Sequence, residues 1–176
     1  MISPPSDCDR CGLCKGRNNI VLPYGNRGSG VVFIGEAPGE NEDLQGIPFV
    51  GRAGRILDEY MSAAGVSRSD IMITNNVKCR PPGNREPTEE EIEACRPFLL
   101  SELKGRKLVV GLGKTSCRNL MGHTGGMKDV VNKMMKIDID GEQVDFLPAY
   151  HPMACVYRKE ARECLAETMR IVKGSL

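Results

Sequence analysis

Short apolar runs and helical periodicities alternate along the chain, and this alternation is the first guide to the fold. The runs at 31–35 (VVFIG), 70–75 (DIMITN) and 108–113 (LVVGLG) have the length and the β-branched content of buried strands. Residues 135–148 alternate between apolar and polar around Asp140-Gly141, a dipeptide that favours a tight turn, and they predict a β-hairpin.

Helices are predicted between and after these strands. Residues 51–65 place apolar side chains on one helical face and end at a glycine, which commonly stops a helix. A helix from Thr88 to about Leu103 opens with a capping box, because Glu91 follows Thr88 at the required spacing. A short helix is expected after the third strand, and a closing helix over 159–173.

Strands that alternate with helices predict an α/β fold, because parallel strands need a crossover connection. We expect one domain over residues 1–176, a three-layer α/β/α sandwich around a central four-stranded, mostly parallel sheet. Three loops follow predicted strands, at 35–43, 74–85 and 150–158. Since ligands bind at the carboxyl ends of such strands, these loops are expected to meet in one crevice.

Composition and charge narrow the class of protein. The chain has 176 residues, 40% hydrophobic and 27% charged, which is ordinary for a globular protein with its own core. The net charge of +1 excludes a uniformly basic nucleic-acid-binding surface, so any such surface has to be local. No apolar run could span a bilayer, and the N-terminus lacks the apolar segment of a signal peptide. A cytoplasmic protein without membrane contact is expected.

Eight cysteines are many for such a chain, and four of them suggest a metal site. Cys8 and Cys11 form a C-x2-C pair in a segment rich in glycine and proline, and Cys79 and Cys95 lie far downstream. Four thiolates can hold a [4Fe–4S] cluster or a Zn²⁺ ion, and spacing alone does not separate the two. For Cys95, which shares a helical stripe with apolar residues, a plain buried thiol is an alternative.

The remaining cysteines carry weaker signals. Cys14 extends the first pair to C-x2-C-x2-C, as in bacterial ferredoxins, but the C-x3-C-P continuation of that run is missing, which argues against a ferredoxin module. Cys117, Cys155 and Cys164 are expected to be ordinary core or surface thiols.

Five motifs, in order along the chain, resemble those of the family 4 uracil-DNA glycosylases, iron–sulfur enzymes of bacteria and archaea. They are C-x2-C-x-L from Cys8, GEAPGENED from Gly35, GIPFVGRAG from Gly46, NNVKCRPPGNREPT from Asn75 and HPMACVYR from His151. The resemblance implies a monofunctional enzyme that flips deaminated uracil out of DNA and hydrolyses its N-glycosidic bond. The product is an abasic site, which initiates base excision repair. The resemblance also implies a [4Fe–4S] cluster held by Cys8, Cys11, Cys79 and Cys95, without a role for Cys14.

Two features separate the chain from related branches. The branch that becomes covalently attached to uracil has an extra histidine in the loop after the second strand, and residues 79–87 (CRPPGNREP) contain none. In the family 5 enzymes the first motif reads roughly GLAPA, with no acid at its second position, whereas Glu36 follows Gly35 here. The resemblance is therefore to family 4.

Roles in uracil binding follow from the same resemblance. The uracil-reading asparagine lies four residues before the third cysteine, which selects Asn75; its amide can donate to O4 and accept from N3–H, whereas cytosine presents the inverse pattern. Asn76 would point to the opposite face. Phe49 would stack on the uracil ring, and His151 would donate to O2. The small residues would let main-chain N–H groups approach the flipped base; they are Gly35, Ala37 and Gly39.

Two carboxylates are candidates for the sugar and water side of the reaction. A carboxylate can orient or deprotonate water and favour positive charge on the sugar. We expect Glu36 to be the water-side group. Glu42 comes next, with a hydrogen bond to Asn84 that would fix the loop. Asp43 is expected to be a cap or loop residue.

DNA contacts are expected beside the three loops. The basic residues there are Arg52, Arg55, Lys78, Arg80, Arg85 and Arg158. The stretch 153–158 resembles the family's minor-groove wedge, although its Met-Ala-Cys-Val-Tyr-Arg replaces a leucine-rich version. The expected partner is uracil-containing DNA, single- or double-stranded, bound by a monomer; a sliding clamp stays an open question.

Two other classes of protein remain as alternatives. One is a nucleic-acid-binding protein on the same fold with little or no catalysis. The other is a redox or zinc protein in which the cysteine-bound metal does the chemistry.

Overall fold

A six-stranded sheet forms the centre of the protein, whose residues 1–176 are all described by a computed structural model. The strand order is β1-β3-β2-β4-β6-β5. The strands are β1 (Tyr24–Gly25), β2 (Val31–Gly35), β3 (Met72–Asn75), β4 (Leu108–Leu112), β5 (Met135–Ile139) and β6 (Glu142–Ala149).

The predicted count of four strands describes only the parallel part of this sheet. β3, β2, β4 and β6 pair in parallel, while β1 and β5 add antiparallel edges. β5 is the first strand of the predicted hairpin, whose turn residues Asp140 and Gly141 both have positive φ, at 51° and 86°. The expected α/β class is confirmed, and the four-strand count is corrected to six because both edges are extended.

Six α-helices accompany the sheet. They are α1 (Glu40–Gln45), α2 (Arg52–Ala63), α3 (Glu89–Leu103), α4 (Lys114–Met121), α5 (Ala154–Tyr157) and α6 (Lys159–Ser175). The capping box of α3 is confirmed, with Thr88 and Glu91 bonded in both directions. α1 was not predicted; its first turn carries three acids, which a helix N-terminus favours, and it stops at Gly46 with φ 72°.

The sheet is covered on both faces. Every residue of β2 and of β4 is buried, and successive strand residues point to opposite faces, so neither face is open to solvent. This gives the three layers expected of the fold. None of the helices is both long enough and apolar enough to cross a membrane.

The register of the central strands places the predicted site residues side by side. Gly35 at the end of β2 is opposite Asn75 at the end of β3. Leu112 at the end of β4 is opposite Ala149, two residues before His151. The loops after β2, β3 and β6 therefore leave the sheet at the same end, where the parallel strands have their carboxyl termini.

Candidate active site

A cavity of about 300 Å³ opens at the carboxyl end of the parallel strands, and most of the predicted site residues line it. Its wall contains both candidate carboxylates, the uracil-reading candidate and the histidine. The predicted residues among its lining are Glu36, Ala37, Gly39, Glu42, Phe49, Asn75, Asn84, Arg85 and His151. Pro38, Ala53, Pro81 and Met153 complete it. The three loops thus meet as expected.

Asn75 presents an unsatisfied acceptor. Its side chain is 3% exposed, and its Oδ1 atom has no hydrogen-bond partner. Buried polar atoms are nearly always paired, so this one is free for a ligand that brings a donor. Its neighbour Asn76 points away: Nδ2 donates to Gly35 O at 2.8 Å and to Ser116 Oγ at 2.9 Å.

Gly35 forms the floor beneath two of these side chains. A Cβ atom at this position would lie 2.5 Å from the Phe49 ring and 2.5 Å from Asn75 Oδ1. No side chain fits there without moving one of them. Position 35 therefore requires glycine, because the Phe49 ring and the Asn75 amide both pack against its main chain.

Phe49 is buried, and its backbone is strained. It is 5% exposed and has φ 54°, which is unusual for a bulky residue. Arg68 holds this conformation, because its Nη2 donates to Phe49 O and its Nη1 donates to Pro48 O at 3.0 Å. Arg68 is itself paired with Asp58 at 2.8 Å. The sequence pattern carried no signal for this contact.

His151 is neutral at physiological pH. Burial lowers its pKa to about 4. Its Nδ1 lies 3.2 Å from the main-chain N–H of Met153 and accepts from it, so the ring proton resides on Nε2. The ring centroid is 6.3 Å from that of Phe49. His151 can therefore donate one hydrogen bond into the cavity without carrying charge.

Glu36 is held by a threonine that the sequence analysis missed. Thr115 Oγ1 donates to Glu36 Oε2 at 2.5 Å. Burial raises the pKa of Glu36, and the hydrogen bond from Thr115 opposes that rise. Thr115 also lies 3.3 Å from Glu86, which pairs with Arg118 at 2.5 Å. The signal in the sequence was the position of Thr115, three residues after Leu112 at the carboxyl end of β4.

Glu42 has a structural partner instead of the expected one. Its Oε1 accepts from Gly51 N at 3.3 Å. No hydrogen bond joins Glu42 to Asn84, so that prediction is wrong; Asn84 Oδ1 instead accepts from Arg80 Nε at 2.7 Å. Glu42 instead contacts Gly51, just before α2, and Asn84 bonds within its own loop.

The expectation that Asp43 is a cap or loop residue is also corrected. Asp43 is 1% exposed and lies in the first turn of α1, where its carboxylate accepts from Asn18 N at 2.8 Å and from Asn18 Nδ2 at 2.6 Å. It accepts from Asn19 N at 3.2 Å as well. Asp43 therefore anchors the N-terminal segment instead of capping a helix.

The side chains predicted to contact DNA differ in solvent exposure and in whether they are paired with a carboxylate. Arg52, Arg55 and Arg158 are exposed. Arg85 donates to both carboxylate oxygens of Glu91, at 2.9 and 2.7 Å. The prediction that Lys78 faces DNA is wrong, because it is 1% exposed and paired with Glu102 inside the protein.

The four predicted ligand cysteines face a second cavity. Cys8, Cys11, Cys79 and Cys95 line it together with Arg10, Arg17 and Lys78. Burial raises the pKa of Cys79 to about 11, although Arg17 donates to its sulfur at 3.6 Å. The structure shows no group of His, Cys, Asp and Glu side chains closed around a single-ion position. Cys14, Cys117, Cys155 and Cys164 lie outside this cavity lining.

Four soft sulfur donors from three separate parts of the chain fit an iron–sulfur cluster or zinc. Cys8 and Cys11 come from the N-terminal segment, Cys79 from the loop after β3, and Cys95 from α3. The thiols have to lose their protons when they bind a metal, so binding is coupled to folding and pH.

Comparison with known proteins gives a consistent result. Residues 22–173 match the model of the uracil DNA glycosylase superfamily. A type-4 uracil-DNA glycosylase of Pyrobaculum aerophilum is 46% identical over 162 residues, 88% of this chain and 82% of the relative. That of Saccharolobus solfataricus is 40% identical over 176 residues, covering 96% and 82%. That of Thermotoga maritima is 43% identical over 150 residues, covering 82% and 76%.

The superfamily match spans the β2, β3 and β6 loops that form the cavity, and the relatives match most of this chain. The protein is therefore a member of the uracil DNA glycosylase superfamily and belongs to its type-4 group.

Proposed function

We propose that this protein is a monofunctional uracil-DNA glycosylase, a single domain over residues 1–176 that starts base excision repair in the cytoplasm as a monomer. The observation that carries the proposal is the unpaired, buried Oδ1 of Asn75, which lies in a cavity walled by Phe49, His151 and Glu36. Such an acceptor, with the amide donor beside it, matches the N3–H and O4 edge of uracil.

Uracil recognition rests on Asn75 and Phe49. Asn75 Oδ1 would accept from N3–H, and its Nδ2 would donate to O4. Cytosine has no N3–H and carries an amino group in place of O4, so both contacts would fail and leave buried polar atoms unpaired. Stacking on Phe49 contributes about 1–3 kcal/mol, which helps to offset the cost of flipping the nucleotide.

Bond cleavage rests on a neutral donor. As the N-glycosidic bond breaks, negative charge grows on the departing uracil. His151 Nε2–H would donate to O2, and this hydrogen bond strengthens as the charge develops. Main-chain N–H groups near Gly35, Ala37 and Gly39 would approach the same ring. Because His151 is neutral, it stabilises the anion without first protonating it.

The attacking water is assigned to Glu36. Its carboxylate is held by Thr115 at the cavity wall and, once ionised, can accept a proton from water and favour positive charge on the sugar. Glu42 also lines the cavity, but its carboxylate accepts from Gly51 N, which orients the start of α2. Glu42 therefore supports the site, and Glu36 faces the water.

DNA binding is assigned to the basic rim and to one aromatic side chain. Arg52, Arg80, Arg85 and Arg158 lie in or beside the three loops, where they would neutralise phosphates. Tyr157, in the stretch that resembles the family's wedge, is 77% exposed. Wedges of this kind insert apolar side chains between base steps, so we assign that role to Tyr157.

The cofactor is proposed to be a [4Fe–4S] cluster on Cys8, Cys11, Cys79 and Cys95. When bound, it would cross-link the N-terminal segment, the loop after β3 and α3, which is a structural role. A Zn²⁺ ion is the alternative for the same donors. Brown protein with bound iron and sulfide supports the cluster, and colourless protein with bound zinc refutes it.

An oligonucleotide assay tests the function. Single- and double-stranded substrates with one uracil, hypoxanthine or xanthine are incubated with the protein and then analysed for abasic sites. We expect abasic sites from uracil, and strand cleavage only after alkali, because a monofunctional enzyme leaves the backbone intact. DNA binding without abasic sites would refute the proposal and indicate a non-catalytic binding protein.

A further inference from the structure

One buried lysine contacts both sites: Lys78 lines the cysteine cavity and bonds to the main chain of the proposed uracil reader. The ammonium of Lys78, 1% exposed, donates to Thr74 Oγ1 at 2.6 Å, to Asn75 O at 2.7 Å and to Glu102 Oε2 at 2.7 Å. Thr74 Oγ1 in turn donates to the same Glu102 oxygen at 2.8 Å. Three hydrogen bonds thus satisfy all the donors of a buried ammonium group.

Stability alone is a weak reason for such a pair. Removing two charges from water is costly, and apolar residues of similar size often serve a core equally well. One of the three acceptors of Lys78 is the carbonyl of Asn75, the residue whose amide lies unpaired in the cavity. The buried charge is therefore placed against the main chain of the proposed uracil reader.

The surrounding contacts fix the same stretch of chain from the other side. Asn76 N donates to Gly35 O at 2.9 Å, and the Asn76 side chain is bonded to Gly35, Ser116 and Asn119. On the far side, the main-chain carbonyl of Lys78 accepts from Val21 N at 2.7 Å. The backbone on both sides of Asn75 is thus held, while its side chain keeps an open acceptor.

We propose that Lys78 and Glu102 are positioning residues for uracil excision, which fix the main chain of Asn75 so that its amide meets the base at the correct distance and angle. Lys78 acts on the carbonyl, and Glu102 holds the ammonium in place. The inference rests on the proposed function. A misplacement of about 1 Å at a reacting group can lower the rate about 100-fold.

Two variants separate positioning from stability. Lys78→Met leaves Glu102 as an unpaired buried charge, so it should lower both the thermal midpoint and kcat. Adding Glu102→Gln removes that charge and keeps an acceptor for Thr74, so the double variant should recover most of the midpoint. It has no ammonium on Asn75 O, so its kcat on uracil-containing DNA should stay about 100-fold below wild type.

The steady-state constants and a core control complete the test. KM for DNA should change less than about threefold, since phosphate contacts lie elsewhere. Leu165→Ala, in the buried face of α6, should lower the thermal midpoint and leave kcat unchanged. Binding of free uracil, followed by calorimetry, should weaken in the double variant and not in Leu165→Ala.

Three results would overturn the inference. The first is that the double variant recovers wild-type kcat together with the thermal midpoint. The second is that its affinity for free uracil is unchanged. The third is that it loses the bound metal, which would place the effect at the cysteines. Absence of excision by the wild-type protein would instead refute the proposed function, so the two failures are distinguishable.

Discussion

Glu36 lies in the loop after β2 and Thr115 in the first turn of α4, and their side-chain oxygens are 2.5 Å apart at the cavity wall. Burial favours the neutral carboxyl group, while the donated hydrogen bond favours the carboxylate. Burial is the larger influence, so the pKa of Glu36 is raised. The charges that face Glu36 add a little in each direction: Glu86 raises its pKa, and Arg118 lowers it.

The first prediction concerns the acid side of the pH profile. Excision should need ionised Glu36, so kcat should fall as the pH drops, beginning above the usual pKa of a glutamate. Thr115→Val removes the hydrogen bond that lowers this pKa, so it should move the acid limb to higher pH. Thr115→Ser keeps the hydroxyl and should stay close to wild type. A profile that is identical in all three proteins would remove Glu36 from the water side.

The second prediction concerns folding stability and His151. Burial holds its pKa at about 4 in the native state, below the ordinary 6.5, so the unfolded chain binds more protons between these values. The free energy of unfolding should therefore fall as the pH drops from 6.5 to 4, by at most about 3 kcal/mol from this group.

Denaturant unfolding at several pH values measures this slope. His151→Gln cannot titrate and should show a flatter dependence over the same range. His123, which lies outside the cavity and is bonded to Gly126 O at 3.1 Å, offers the matched control His123→Gln. A slope in His151→Gln as steep as in wild type would contradict the prediction.

The third prediction concerns base recognition. Asn75→Asp replaces the amide donor by a second acceptor, which repels O4 and the departing anion. Single-turnover excision of uracil should fall about 1,000-fold or more, as expected when a buried donor is lost at a developing charge. Asn26→Asp makes the same chemical change in an exposed turn and keeps its acceptor for Gly28 N, so its activity should be normal. Full activity of Asn75→Asp would exclude Asn75 as the reader.

The fourth prediction concerns the cysteine site. Cys11→Ser should reduce bound iron and lower the free energy of unfolding by more than about 2 kcal/mol, or about 4–8 °C in Tm. Cys164→Ser changes a cysteine outside the cavity lining and should keep the full iron content. Retention of all iron with unchanged Tm in Cys11→Ser would show that this residue is not a ligand.

The sequence predicted the sheet core and the meeting of three loops, because strand periodicity and the position of strand ends follow from local pattern. β1 was missed since it has two residues, too few for any periodicity. α1 was missed because its apolar content is low and its stability comes from acids at its first turn.

Individual contacts were harder to predict. Lys78 lies in a loop, where lysine is normally solvated; its burial depends on Glu102, which lies 24 residues further along the chain. Phe49 was predicted as a site residue, but its left-handed backbone depends on Arg68, which approaches from the loop after α2. Both contacts depend on tertiary neighbours that no local pattern specifies.

The attachment of the N-terminal segment has a consequence for how the protein opens. Residues 1–23 contain one short 3-10 turn, and they are joined to the rest through Asp43, through Val21 N on Lys78 O and through the cysteine cavity. Because this segment has few regular backbone hydrogen bonds of its own, we expect it to open independently of the sheet. A metal bound in the cavity would have two ligands inside this segment, Cys8 and Cys11, and two outside it, Cys79 and Cys95. Amide hydrogen exchange in residues 1–23 would then report metal occupancy while the sheet stays fully protected.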